Sequence, residues 1–268
     1  MSAYVVCDKG EMMKTFLIQL VVTGLLLVLN ANGVLAEEVI RWQVDGQTRE
    51  AIVYLPTVSS GAEEVPLVLS FHGFGDNMHN FQHTNMHVAW PEAIVVYFQG
   101  LERRRGRLGW QVESDAGNRD LKLVDVALAS LREQYNVDDD RIYATGFSNG
   151  GMFTYLLWAE RAEVFAAYAP VAARLRPSVR PEQPSPLLHV AGEQDRVVSF
   201  ADQQDAIETA IEVNGVADEA AQCGEGCTVY GSDTLAPVVT WIHRGAHTYP
   251  RGTVEAITSF FRDHSRGR

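Results

Sequence analysis

Positive charge is scarce in this chain: 22 Lys and Arg stand against 34 Asp and Glu, for a formal net charge of -12 over 268 residues. So acidic a protein repels phosphate backbones, which excludes nucleic acid as a partner and points to neutral small molecules or polymers. Cysteine is scarcer still, with three in all. Cys7 lies in the N-terminal segment, leaving Cys223 and Cys227 in the Gly-rich loop Cys-Gly-Glu-Gly-Cys. A structural zinc needs about four N or S ligands and no further soft ligand stands near this pair, so no metal is expected there. A short Cys223-Cys227 disulfide is expected, with two free thiols as the alternative. Internal repeats, low-complexity stretches and long linkers are also missing, which excludes a solenoid or a string of modules.

Long hydrophobic runs are absent too. The longest, residues 16–29, is about 14 residues against the roughly 20 that a membrane-spanning helix needs. Met13-Lys14 precedes it, and Val34-Leu35-Ala36 closes the segment before Glu37-Glu38. That pattern predicts an export signal over residues 1–36 with cleavage after Ala36, and a secreted or periplasmic protein without stable membrane insertion. A retained anchor is the alternative, and residues 1–12 read as lying upstream of a true start at Met12 or Met13.

What is present is an ordinary globular composition, 46% hydrophobic and 21% charged, enough for one catalytic-size domain over residues 37–268. Residues 39–44 and 49–55 flank Asp45-Gly46, a hairpin turn pair, and predict two antiparallel strands. Short apolar runs then follow at 67–71, 93–97, 141–147, 166–169, 187–191 and 238–242. Helix-like segments lie between or after them at 121–135, 149–159, 201–213 and 254–261, and residues 177–186 form a Pro-rich loop. Alternation of this kind predicts an α/β fold: a mostly parallel sheet with helices on both faces and an N-terminal hairpin.

The chemistry begins where the run 141–147 enters Gly146-Phe147-Ser148-Asn149-Gly150. A GxSxG between strand and helix is a nucleophile elbow: the serine sits on a strained turn, and small residues on either side let strand and helix pass. Ser148 is the candidate nucleophile, and Asn149 N–H, at the start of the helix, a candidate oxyanion donor. Upstream, the run 67–71 ends in His72-Gly73-Phe74-Gly75, which offers Phe74 N–H as the second donor, with His72 holding the loop. In the α/β-hydrolase order, acid and base follow the nucleophile. The run 187–191 leads into Gly192-Glu193-Gln194-Asp195, making Asp195 the acid, with Glu193 and Asp202 as alternatives. The run 238–242 leads into His243-Arg244-Gly245-Ala246-His247, making His247 the base in preference to His243 at the strand end. Such a triad requires neither metal nor organic cofactor.

Residues 139–152, Asp-Asp-Arg-Ile-Tyr-Ala-Thr-Gly-Phe-Ser-Asn-Gly-Gly-Met, resemble the elbow of the secreted polyhydroxybutyrate depolymerase and feruloyl or acetylxylan esterase branch of the α/β-hydrolases. The likeness extends over most of residues 50–262. Residues 192–200 resemble that family's acid loop, with Ser199 and Phe200 where proline and tyrosine are usual. Gly245-Ala246-His247-Thr248-Tyr249-Pro250 resembles its histidine loop, with Ala246 for glycine and Tyr249 for tryptophan. Residues 97–101 and Trp110 resemble the segment lining its cleft, so Trp110 and Tyr249 are expected in the substrate wall. The resemblance implies an exported serine carboxylesterase acting on hydroxyalkanoate esters, with acyl groups on plant polysaccharide as the alternative substrate. A hydrolase-fold binding protein without catalysis is the rival from another class. No linker or polymer-binding domain follows residue 262 in the sequence, which sets the expectation against efficient attack on solid polyester.

Two weaker signals remain. His79, His83 and His87 would share a helix face at i, i+4 and i+8, a metal-compatible spacing, but no carboxylate joins them and a polar helix is the expectation. Arg103, Arg104, Arg105 and Arg107 form the one dense basic cluster, read as a solvated loop rather than a trap for anionic substrate.

Overall fold

The computed structural model describes residues 37–57, 63–217 and 220–267. The expected export segment, residues 1–36, lies outside them. The Asp45-Gly46 turn forms as the sequence dictates, with both residues at positive φ, and joins β1 (Glu37–Val44) to β2 (Gln47–Tyr54) in antiparallel register. The chain continues through β3 (Val65–Phe71), short helices α1 (Met78–Phe81) and α2 (Met86–Ala89), and β4 (Ile94–Phe98). A small hairpin, β5 (Leu101–Arg104) and β6 (Arg107–Gly109), precedes α3 (Arg119–Gln134), β7 (Val137–Phe147) and α4 (Asn149–Glu160). Then come β8 (Ala167–Val171), β9 (Leu187–Gly192), α5 (Phe200–Asn214), β10 (Ala220–Gly224), β11 (Cys227–Tyr230), β12 (Val238–His243) and α6 (Thr253–Arg262).

Ten strands form one sheet in the order β1-β2-β4-β3-β7-β8-β9-β12-β11-β10. The inner run from β4 to β12 is parallel, and antiparallel pairs close both sides. Parallel strands must be covered on both faces, and the alternation of side chains does this: Leu67, Leu69, Ile94, Val96, Ile142 and Ala144 point to the core beneath α3 and α4. Their neighbours Val68, Val95, Tyr97 and Tyr143 point to a second core that includes Phe81, Met86, Ile257 and Phe261. Helix α6 is amphipathic, burying Val254, Ile257, Phe260 and Phe261, and Phe261 stacks on Tyr143 at 4.6 Å. Truncating such an aromatic costs about 3–5 kcal/mol.

Three regions differ from the sequence-based expectation. The histidine segment is not one helix: a 3-10 turn and Asn85 at φ 62° separate α1 from α2, so His79, His83 and His87 do not share a face. His87 is instead buried, stacked on Tyr54 at 3.6 Å. The arginine loop is the β5–β6 hairpin, a two-stranded sheet of its own. The cysteine loop is the turn of the β10–β11 hairpin, which extends the main sheet and carries the expected Cys223–Cys227 disulfide. Its strands, Ala-Ala-Gln-Cys-Gly and Cys-Thr-Val-Tyr, are wholly and half exposed, so they lack the alternation that marks a strand in sequence.

Candidate active site

Four loops leave the carboxyl ends of parallel strands in the middle of the sheet, where α/β sheets place their ligand sites. These strands are β3, β7, β9 and β12, and their loops carry residues 72–75, Ser148, Asp195 and His247. Ser148 sits at φ 54° and ψ -112°, a conformation an L-residue holds only when its surroundings enforce it. They do so here: Ser148 N–H donates to Val171 O at 2.8 Å, and Met152 N–H donates to Ser148 O at 2.9 Å. Gly150 allows the turn to lie against β3, since a Cβ there would stand 2.0 Å from Phe71 O.

His247 Nε2 lies 2.9 Å from Ser148 Oγ, and its Nδ1 lies 2.7 Å from Asp195 Oδ2. Asp195 is 4% exposed, and its other oxygen accepts from Val197 N–H at 2.8 Å and Val198 N–H at 3.0 Å. A buried carboxylate is tolerable only with such donors. The acid and histidine loops are joined through their backbones, Glu193 N–H to His243 O at 2.9 Å and Gln194 N–H to Gly245 O at 3.0 Å. A Cβ at Gly192 would come 2.6 Å from Gly245 O and Ala246 O, so the approach demands glycine.

The alternatives are placed elsewhere. Asp202 pairs with Arg174 at 3.3 Å, and Glu193 is exposed. His243 Nδ1 accepts from Gly245 N–H at 3.0 Å, and desolvation lowers its pKa. His72 is fully buried. Its Nε2 accepts from Gly100 N–H at 3.0 Å, which leaves the hydrogen on Nδ1, 2.7 Å from Gly73 O. Desolvation lowers its pKa as well, so it holds the loop as a neutral ring.

The N–H groups of Phe74 and Asn149 have no hydrogen-bond partner among the described residues. Phe74 is 41% exposed, and the Arg107 guanidinium stands over its ring at 5.8 Å. Tyr249 is half-buried, edge-on to Phe147 and Phe81, both at 6.0 Å. Phe147 in turn lies 4.9 Å from the His247 ring.

Trp110 is not a wall residue. It has no exposed surface; its ring packs on Phe71 and Phe153, and its indole N–H donates to His72 O at 2.8 Å. Its backbone clasps the elbow: Trp110 N–H donates to Asn149 Oδ1 at 2.7 Å, and Asn149 Nδ2 donates to Trp110 O at 3.1 Å. A large apolar ring beside two core aromatics gains more from leaving water than from lining a cleft. Among the described residues no group of three His, Cys, Asp or Glu could hold a metal ion, and the histidine segment is part of that result.

Residues 97–220 match the dienelactone hydrolase family. NocK of Nocardia uniformis subsp. tsuyamanensis, named as an esterase, is 30% identical over 260 residues, covering 78% of this chain and 73% of NocK. The chain belongs to the esterase family of NocK. Within this α/β-hydrolase group, a bifunctional acetylxylan esterase/xylanase of Neocallimastix patriciarum is 35% identical over 162 residues, 58% of this chain. Feruloyl esterase B of Piromyces equi is 29% identical over 164 residues, 57% of this chain. The chain spans only 22% and 30% of the length of these two relatives. None of the three is named a polyhydroxybutyrate depolymerase.

Two parts of the site were not read from sequence. Gln203, fully buried on α5, donates to Asp195 Oδ2 at 3.0 Å. Asp120 and Arg49 form a buried ion pair at 2.8 Å, and Asp120 also accepts from Gln111 N–H at 2.7 Å, which anchors the loop carrying Trp110. A polar residue in an otherwise apolar helix face was the available signal for Gln203, and a carboxylate in the first turn of α3 the signal for Asp120.

Proposed function

We propose that the protein is an exported serine carboxylesterase that removes acyl groups, acetyl or hydroxycinnamoyl, esterified to plant polysaccharide. The observation that carries the chemistry is the continuous chain Ser148, His247, Asp195 at 2.9 and 2.7 Å. In this reading His247 Nε2 takes the Ser148 proton as Oγ attacks the ester carbonyl, and Asp195 fixes the tautomer and stabilises the imidazolium. The unpartnered N–H groups of Asn149 and Phe74 receive the oxyanion. His247 returns the proton to the leaving alcohol, and water then resolves the acyl-enzyme by the same route.

The acyl preference draws support from the acetylxylan and feruloyl esterase names of two relatives and from the aromatic rim of Phe74, Phe147 and Tyr249. Export draws support from the signal-like residues 1–36 and the Cys223–Cys227 disulfide. Hydroxyalkanoate oligomers are the second reading, favoured by the resemblance of residues 139–152 to the depolymerase elbow.

Residues 37–268 are to be assayed in parallel on acetylated xylan, methyl ferulate, 3-hydroxybutyrate oligomers and p-nitrophenyl butyrate. Selective release of acetate or ferulate is the expected result, and selective turnover of the oligomers favours the second reading. A folded protein that hydrolyses none of the four, and whose Ser148 resists a fluorophosphonate, refutes the esterase and leaves a binding protein.

A further inference from the structure

The Asp195 carboxylate heads a buried polar chain that runs away from the nucleophile and into the protein. Gln203 Nε2 donates to Asp195 Oδ2 at 3.0 Å and also to Val198 O at 2.8 Å. Both amide hydrogens are thereby used, and the amide oxygen faces His189 Nε2 at 3.4 Å. An amide oxygen accepts only, so His189 carries its hydrogen on Nε2. Its Nδ1 is then a bare acceptor, and it takes the hydroxyl hydrogen of Tyr155 at 2.6 Å.

The direction of the chain is fixed. Turning the Gln203 amide over would aim its oxygen at the carboxylate and leave Val198 O without a donor. Doubly protonating His189 would set an N–H against the Tyr155 hydroxyl in a site with no exposed surface; burial opposes this by lowering the His189 pKa to about 4. Gln203 and His189 are fully buried and Tyr155 is 1% exposed. They come from three elements, α5, β9 and α4, and α4 is the helix that Ser148 heads.

We propose that Gln203, His189 and Tyr155 are positioning residues for Asp195, a three-member donor chain that holds the carboxylate toward His247 and ties the acid loop to the helix of the nucleophile. This rests on the reading of Asp195 as the triad acid. Each donor in such a chain polarises the next, so the far member is felt at the carboxylate with diminished strength. The other charged or titratable groups beside Asp195 are His243 at the end of β12 and the exposed Glu193 and Arg196 of its own loop, and the variants below leave them intact.

The test compares wild type with Gln203→Met, which removes the donors at similar volume, and Tyr155→Phe, which removes only the distal hydroxyl. The first readout needs no substrate: the downfield proton NMR signal of His247 Nδ1–H against Asp195. A carboxylate oxygen that loses one of its two donors accepts more strongly from the other, here His247 Nδ1–H on Asp195 Oδ2, so the signal moves further downfield in Gln203→Met and by less in Tyr155→Phe. The second readout is the pH profile of kcat/KM on p-nitrophenyl acetate. Its acid limb moves to higher pH in the same order, and the plateau kcat of Gln203→Met falls about tenfold with KM nearly unchanged. A Nδ1–H signal at the wild-type position in both folded variants overturns the proposal. Should Gln203→Met not fold, Tyr155→Phe decides by the same signal. A wild type without esterase activity refutes the function above, and the NMR comparison still decides the chain.

Discussion

Replacing Gly150 by alanine is the sharpest probe of how the elbow meets the oxyanion loop. The added Cβ would stand 2.0 Å from Phe71 O, 2.6 Å from Phe71 C and 2.7 Å from His72 O. All three are backbone atoms at the end of β3, so no side chain can turn aside. Ordinary non-bonded contact lies near 3.5 Å, so about 1.5 Å of separation must open between elbow and strand. That strand end leads into Phe74, whose N–H is assigned to the oxyanion, and the turn itself carries Ser148. A misplacement of about 1 Å costs about a hundredfold in rate, about 2.7 kcal/mol in the barrier. Overpacking adds about 1–3 kcal/mol of lost stability, or about 2–12 °C in Tm for a domain of this size. The assay is kcat and KM on p-nitrophenyl butyrate beside Tm and circular dichroism. A folded Gly150→Ala protein with kcat/KM within about threefold of wild type refutes the reasoning.

Asp195→Asn should lower kcat by about ten-thousandfold without unfolding the protein, because an amide facing Nδ1 selects the wrong imidazole tautomer; a loss below about tenfold would remove Asp195 from its role. Asp120→Ala strips Arg49 of its partner in a site without solvent and should cost about 3–5 kcal/mol in urea unfolding; a change under about 1 kcal/mol would contradict the burial argument. Stability should also fall in mild acid. His189 has a folded pKa of about 4, below the roughly 6.5 of an unfolded histidine, so the unfolded chain takes up a proton first. Stability is full above about pH 6.5 and drains as pH falls toward 4, by up to about 3 kcal/mol from this residue. Urea midpoints at pH 7, 6 and 5 check it, and a flat series would refute it.

The loops that bring Ser148, Asp195 and His247 together were legible because each is a local motif at the end of an apolar run: Gly146 to Gly150, Gly192 to Asp195 and Gly245 to His247 state their backbone demands in sequence. The central strands were legible for the same reason, apart from their ends; β7 starts at Val137 rather than Arg141. Trp110 was misread because a single aromatic after a polar hairpin has no periodicity to say which way it faces. Its partners Phe71, His72 and Asn149 are distant in sequence. Gln203 acts through a contact that exists only once α5 packs on β9. The break between α1 and α2 turns on Asn85 in the left-handed region, which asparagine tolerates well, a hint that the even histidine spacing masked.

The β5–β6 hairpin hydrogen-bonds as a sheet apart from the main one. Its ties to the rest of the site include Gly75 N–H to Leu108 O, Arg103 to Trp110 O, Arg119 to the carbonyls of Glu102 and Gly109, and the Arg107 guanidinium over Phe74. The segment between Gly100 and Trp110 is bounded by one residue that binds His72 and another that clasps Asn149. Arg103 belongs to that clasp through Trp110 O, whereas Arg105 and Arg107 are exposed; it is at these two that the rim can change its charge while the sheet beneath keeps the register that aligns serine, histidine and aspartate.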